Sequence, residues 1–305
     1  DEIKIGPTAA KVTKFNAIVS ADGSGTHKAV QDAIGAAPEN CTTPFRILIK
    51  PGTYTGQFMV GKSKRNVQLF GEDVEKTILT WPYNVNDRKP NQPYQFDPGF
   101  VVVGDDLYAE NLTIENTSGD HGQALAVRVD ADRSVFNNCR ILGWQDTLMV
   151  NEGRHYFTNC FIAGRVDFIY GSGTSVFDRC EIHSKNGGYI TAASTPPDQP
   201  FGFVFLSCKL TGDPTPWRGP DAKPQFEASD VKTYLGRPWR ASGSVSFINC
   251  EMGRHIKPEG WHNWGKVENE ATARYVEFNN TGPGANPAPR VKWAKQLSDE
   301  DAKAY

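Results

Sequence analysis

Five short segments of this chain share one frame built around a cysteine. They read Val135-Phe136-Asn137-Asn138-Cys139-Arg140-Ile141, Tyr156-Phe157-Thr158-Asn159-Cys160-Phe161-Ile162 and Val176-Phe177-Asp178-Arg179-Cys180-Glu181-Ile182, then Val204-Phe205-Leu206-Ser207-Cys208-Lys209-Leu210 and Ser246-Phe247-Ile248-Asn249-Cys250-Glu251-Met252. Tyr108 to Ile114 fits the same frame with Asn111 in the cysteine place. Taken as one continuous strand, most copies place an aromatic or aliphatic residue, the cysteine and another apolar residue at alternate positions. The cysteines recur at intervals of 21, 20, 28 and 42 residues. A strand pattern returning at such intervals predicts a solenoid of parallel strands, its longer intervals being coils with inserted loops or a coil whose cysteine is replaced. Stacked coils hold equivalent residues roughly 4.8 Å apart. The cysteines then form an interior ladder of small buried thiols. The same spacing also admits one or two disulfides, so both states stay open.

The interval recurs in a second residue type. Asp146 and Asp167 lie 21 residues apart, each seven residues beyond a cysteine. In stacked coils their carboxyls sit one above the other. Two such charges repel, which pushes one toward its protonated form. A potential acid and a potential nucleophile thus share one place.

Outside the repeat, Thr26 is placed to cap a helix whose apolar face is Val30, Ala33, Ile34 and Ala37, ended by Pro38. Such a helix would cover the open edge of the first coil. Ser298-Asp299-Glu300-Asp301 resembles the start of a short terminal helix. The Pro- and Gly-rich tract 282–289 is expected to run as an extended surface tail. No linker or abrupt charge shift divides the 305 residues, so a single domain spanning 1–305 is expected. The net charge of -2 is well mixed, which argues against nucleic-acid binding, and no apolar run reaches membrane-spanning length. The opening Asp1-Glu2-Ile3-Lys4 lacks a leader's charged-then-apolar profile, so a leader is expected to have been removed. Sequons at Asn40, Asn111, Asn116 and Asn279 are read as unmodified asparagines. The histidines show no metal-ligand spacing, the glycine turn at Gly23-Ser24-Gly25 lacks a phosphate-loop lysine, and no Gly-x-Ser-x-Gly elbow is present.

Four motifs bear on chemistry: Gly122-Gln123-Ala124-Leu125-Ala126-Val127, Gly143-Trp144-Gln145-Asp146-Thr147-Leu148, Gly164-Arg165-Val166-Asp167-Phe168-Ile169-Tyr170-Gly171 and Tyr234-Leu235-Gly236-Arg237-Pro238-Trp239. Together with Gly23, Gly25, Ile49 to Tyr54 and Pro258-Glu259-Gly260-Trp261, and in that family's order, they resemble the pectin methylesterases (pectinesterases) over most of the chain. Tyr170 stands where phenylalanine is more usual, and Arg128 where several relatives carry a hydrophobic or aromatic residue. The resemblance implies an all-β, right-handed parallel β-helix with an N-terminal capping helix and a short C-terminal one. It implies a secreted or extracellular enzyme (periplasmic if bacterial), monomeric, without cofactor or metal, acting on pectin homogalacturonan and on neither nucleic acid nor membrane.

By the same resemblance Asp167 is the nucleophile, Asp146 the proton donor and later base, and Arg237 the group that orients Asp167. Gln123 and Gln145 carry neutral amide donors suited to an oxyanion. Trp239 offers a flat apolar face to a sugar ring, with Tyr170, Trp144, Phe168 and Val166 as further substrate contacts and Trp261 and Trp264 as weaker ones. Alternation places Phe168 opposite Asp167, so packing is its rival role. Two other classes fit the residues. One is a polysaccharide-cleaving β-helix enzyme, a glycosidase or a lyase, since paired carboxylates about 5 Å apart also suit a retaining glycosidase; the other, a non-catalytic carbohydrate-binding solenoid, needs no convergence of these groups.

Overall fold

The computed structural model describes residue 12 and residues 14–87, 98–214 and 232–305. Among these, every strand pairing is parallel, in sheets of eleven and thirteen strands. The chain winds as a right-handed parallel β-helix. The central coils lay one strand on each of three columns, and the terminal coils fewer. The first column begins at Ala17–Val19 and ends at Lys295–Gln296. The second and third are joined where two long strands, Phe161–Gly171 and Glu181–Ala193, run around a corner and belong to both.

The coil lengths follow the cysteine intervals. Phe136, Phe157, Phe177, Phe205 and Phe247 are in consecutive register on the first column. Even the 42-residue interval is therefore one coil carrying an insertion. The five rings are fully buried and stack with centroids 4.4 to 4.9 Å apart. The cysteines form the ladder beside them, all as free thiols. Each Sγ contacts a carbonyl one coil back, from Cys139 on Ala109 to Cys250 on Phe205. None of the five is in a disulfide here.

The expectation of one continuous strand through each cysteine fails. The residues preceding it, Asn138, Asn159, Arg179, Ser207 and Asn249, are left-handed, as are Asn111 and Asn279. The chain turns a corner there, from the first column to the second. Phe136 and Cys139 are three residues apart, an odd spacing that a straight strand would send to opposite faces. The corner lets both point inward. Asparagine tolerates this conformation better than most residues, and its amide ties coils together: Asn138 donates to Asn111 and Asn279 to Asn249, each at 2.7 Å. Asn116 is buried, its amide bonded to Tyr83 and Leu125 carbonyls, so that sequon is inaccessible.

Helix α1, Val30–Gly35, buries Val30, Ala33 and Ile34 against the strands Ala17–Val19, Phe45–Ile49 and Phe58–Val60. Thr26 does not cap it. Ala29 holds the N-cap position, and Thr26 is drawn instead to the backbone of Ile18, which it meets as donor and acceptor. Helix α2, Asp299–Ala302, is capped by Ser298 as expected. The tract after Gly282 folds in turns rather than running straight, and Arg290 enters the core to pair with buried Glu277 at 2.9 Å.

Phe157 lies between two near-parallel rings at 4.9 Å on each side. Its truncation to alanine removes both contacts in a packed column, and the expected cost is about 3–5 kcal/mol. The urea midpoint of Phe157→Ala should fall accordingly. Met59→Ala, at an exposed position, should stay within about 0.5 kcal/mol of the parent.

Candidate active site

The third column carries an outward ladder over five successive coils: Arg128, Met149, Tyr170, Ala192 and Arg237 in register. This ladder floors an open cleft of about 420 Å³. One wall holds Gln123, Gln145, Asp146 and Asp167, and the far end holds Trp239 and Trp264.

Asp146 and Asp167 sit at kinks rather than in flat strand. Their φ values are +62° and +50°, a left-handed conformation worth about 1–3 kcal/mol of strain in a non-glycine residue. The kink turns each carboxyl into the cleft. Parallel backbone bonds hold the two kinks together: the Arg165 amide donates to Trp144 at 2.9 Å, and the Asp146 amide to Val166 at 3.0 Å. Gln123 and Gln145 bridge in the same sense one coil earlier.

Glycines make this geometry possible. A Cβ on Gly164 would lie 2.2 Å from the Cβ of Phe168, and one on Gly236 would lie 1.9 Å from the Thr191 hydroxyl. Any larger residue would displace the strands that carry Asp167 and Arg237.

Arg237 holds Asp167 in a bidentate grip, Nε donating to Oδ1 at 2.9 Å and Nη2 to Oδ2 at 2.7 Å. Its guanidinium lies between two rings, 3.8 Å from the Tyr189 centroid and 3.7 Å from that of Trp264. Such stacking fixes the plane of the fork, and with it the carboxylate.

The two aspartates differ electrostatically. Burial and then the neighbouring Asp167 charge push Asp146 up to about 8, while a hydrogen bond from Gln123 opposes the rise. Burial also raises Asp167, but the Arg237 ion pair pulls it back. Near neutrality the arrangement therefore favours a protonated Asp146 beside an ionised Asp167. Chemically, the site offers an oriented carboxylate, a proton donor and two neutral amides around one open volume.

The structure brings together Asp146, Asp167, Arg237, Gln123, Gln145, Trp239 and Tyr170, the last two in edge-to-face contact at 5.8 Å. Phe168 does not line the cleft. The strand alternates past Asp167, so its ring faces inward and is fully buried in the core. Trp144 and Val166 are half-buried but do not line the cleft, Trp144 having Lys185 over its ring at 4.6 Å. Trp261 is core as well, whereas Trp264 does line the cleft. Met149 and Ala192 went unnoticed in the sequence. Their signal was present: 128, 149, 170 and 192 repeat the coil interval. Among the described residues no group of three His, Cys, Asp or Glu side chains could hold a metal ion.

Known proteins resemble this chain over most of its length. A family model described as Pectinesterase matches residues 16–305. Pectinesterase 31 of Arabidopsis thaliana is 40% identical over 293 residues, covering 93% of this chain and 88% of its own. The pectin methylesterase structure from carrot superposes with a TM-score of 0.86 at 34% identity, over 96% of this chain and 91% of that one. A pectin methylesterase solved in complex with a hexasaccharide superposes at 0.79 with 28% identity, over 96% of both chains.

Proposed function

Because the chain belongs to the pectinesterase family, we propose that its two aspartates divide the hydrolysis of pectin methyl esters between them. As a carboxylic ester hydrolase of this family it removes methyl groups from galacturonosyl residues, releasing methanol and de-esterified pectin. The observation that carries the division of roles is the Arg237 fork on Asp167 beside an Asp146 whose pKa is raised to about 8.

Asp167 attacks the ester carbonyl carbon. The carbonyl electrons move to oxygen, and the amides of Gln123 and Gln145 stabilise that oxyanion without adding a counter-charge. Collapse breaks the bond to the methoxy oxygen, which takes the Asp146 proton and leaves as methanol. An anhydride between Asp167 and the galacturonosyl acyl group remains. Asp146, now a carboxylate, removes a proton from water as that water attacks the substrate acyl carbon. The product acid departs, Asp167 is released as a carboxylate and Asp146 is protonated again. The chain acts in our reading as one domain and one monomer, secreted to reach its polysaccharide. Among the described residues no helix is long and apolar enough to cross a membrane.

The active form needs Asp167 ionised and Asp146 protonated. Methanol release should therefore show a kcat/KM that rises as pH climbs through the Asp167 step and falls above about 8. A rate that keeps climbing with hydroxide beyond pH 8 would rule out a protonated Asp146 as the donor. Chain scission of methylated pectin without methanol would mark a glycosidase or lyase instead.

A further inference from the structure

Gln123 enters the cleft from a weaker support than the nucleophile it serves. Asp167 lies inside the strand Phe161–Gly171. Gln123 lies between the strands Thr113–Glu115 and Val127–Asp130, bridged to Gln145 at one point. The approach to it contains Gly119 and Gly122, with φ of +98° and +144°. Glycines swing at little cost. An oxyanion donor, however, acts only if it is held to within about 1 Å of its place. The precision has to come from what grips the approach.

Side chains grip it from two directions. From the preceding coil, the Asn84 amide donates to the Gly122 carbonyl at 3.2 Å and the Asn86 amide to the His121 carbonyl. From the opposite direction, two coils on, Arg165 Nη1 donates to Asp120 Oδ2 at 2.6 Å. Arg165 is rooted two residues before Asp167. Its backbone amide donates to Trp144 at 2.9 Å, and its Nε to the Gly187 carbonyl at 3.3 Å, one coil further along. The ion pair therefore joins the kink of the nucleophile to a point three residues before Gln123. Its two ends differ in exposure, 38% for the Arg165 side chain and 9% for that of Asp120. A carboxylate so nearly buried, once its cation is removed, gains by turning out to water. Gly119 and Gly122 let the loop follow it.

We propose that Arg165 and Asp120 form a clamp that positions the Gln123 amide against the oxyanion created when Asp167 attacks. Neither residue lines the cleft, so both act through Gln123 as positioning residues. The proposal rests on the oxyanion role given to Gln123 above. An ion pair of purely structural value would leave kcat unchanged in any variant that folds.

The test measures kcat and KM for methanol release from methyl-esterified pectin. The proteins are the parent, Arg165→Gln, Asp120→Ala, Gln123→Ala and the double variant Arg165→Gln/Gln123→Ala, with thermal melts confirming that each folds. Gln123→Ala should lower kcat by about 10²–10³-fold, the scale of a lost oxyanion donor. Arg165→Gln and Asp120→Ala cut one bond from its two ends. Each should lower kcat by about tenfold with KM kept within about twofold, because Gln123 is displaced and not removed. In the Gln123→Ala background, Arg165→Gln should cost nothing further. A tenfold loss repeated in that background overturns the clamp, since Arg165 would then act through another group. So does a parental kcat in Arg165→Gln or in Asp120→Ala. A parental kcat in Gln123→Ala overturns the oxyanion reading and the clamp with it.

Discussion

Replacing Asp167 with asparagine is expected to leave a folded protein whose kcat on methyl-esterified pectin is lower by about 10⁴-fold or more, the scale seen when a nucleophile is removed. The choice of asparagine matters. Residue 167 has a φ of +50°, and asparagine is among the few side chains that accept that region readily. The kink and the strand around it survive, so the loss reports chemistry and not backbone strain. The amide can still accept one hydrogen bond from Arg237, but it offers no anionic oxygen to the ester carbon. Alanine would confound the two effects. Thermal unfolding and methanol release, measured on the same preparation, separate folding from catalysis. Retention of even a tenth of the parental rate would remove Asp167 from its role.

Asp146→Asn is expected to lower kcat by about 10²–10⁴-fold, the range of a positioned general acid and base. The same variant carries a second expectation, on stability. In the folded parent Asp146 keeps its proton up to about 8, against 3.8 for a free carboxyl. Between those values the unfolded chain has released this proton and the folded one has not. Folding stability from this group is thus fully present below about pH 4 and is lost as pH rises toward 8. Asparagine does not titrate. The stability of Asp146→Asn relative to the parent should therefore grow with pH across that window, by up to about 1.4 kcal/mol per unit. Urea denaturation at pH 5 and pH 8 measures the difference. A difference that stays flat would mean that Asp146 ionises normally in the folded state.

Much of the architecture is legible in the spacing of a few residue types. The cysteine interval carries the coil length, and the aspartate pair inherits its register from the same interval. The corners are harder to read. A left-handed residue such as Asn138 turns the chain while leaving its neighbours' inward direction intact, so the pattern around Cys139 passes for a straight strand. Phe168 shows the opposite weakness. Adjacency to Asp167 suggests the cleft, but alternation sends its ring to the core, and a position beside a motif says little about its face. Thr26 fails as a helix cap because the backbone of Ile18 competes for its hydroxyl. Arg237 lies 70 residues beyond Asp167. The insertion in that coil hides their pairing from interval arithmetic, and the motif resemblance supplied what spacing could not. The floor residues Met149 and Ala192 carry no chemistry that attracts notice, although their spacing places them on the cleft floor.

In the proposed mechanism the acyl group passes through Asp167. Asp146→Asn slows both the acylation, which loses its acid, and the hydrolysis that follows, which loses its base, so whatever anhydride forms is long-lived enough to trap. That variant is mixed with a methyl-esterified oligogalacturonide, treated with borohydride during turnover, digested and read by mass spectrometry. Reduction of the anhydride should convert residue 167 to homoserine, only when substrate is present. An unaltered Asp167 alongside a stoichiometric burst of methanol, or reduction at a different carboxyl, would contradict the account.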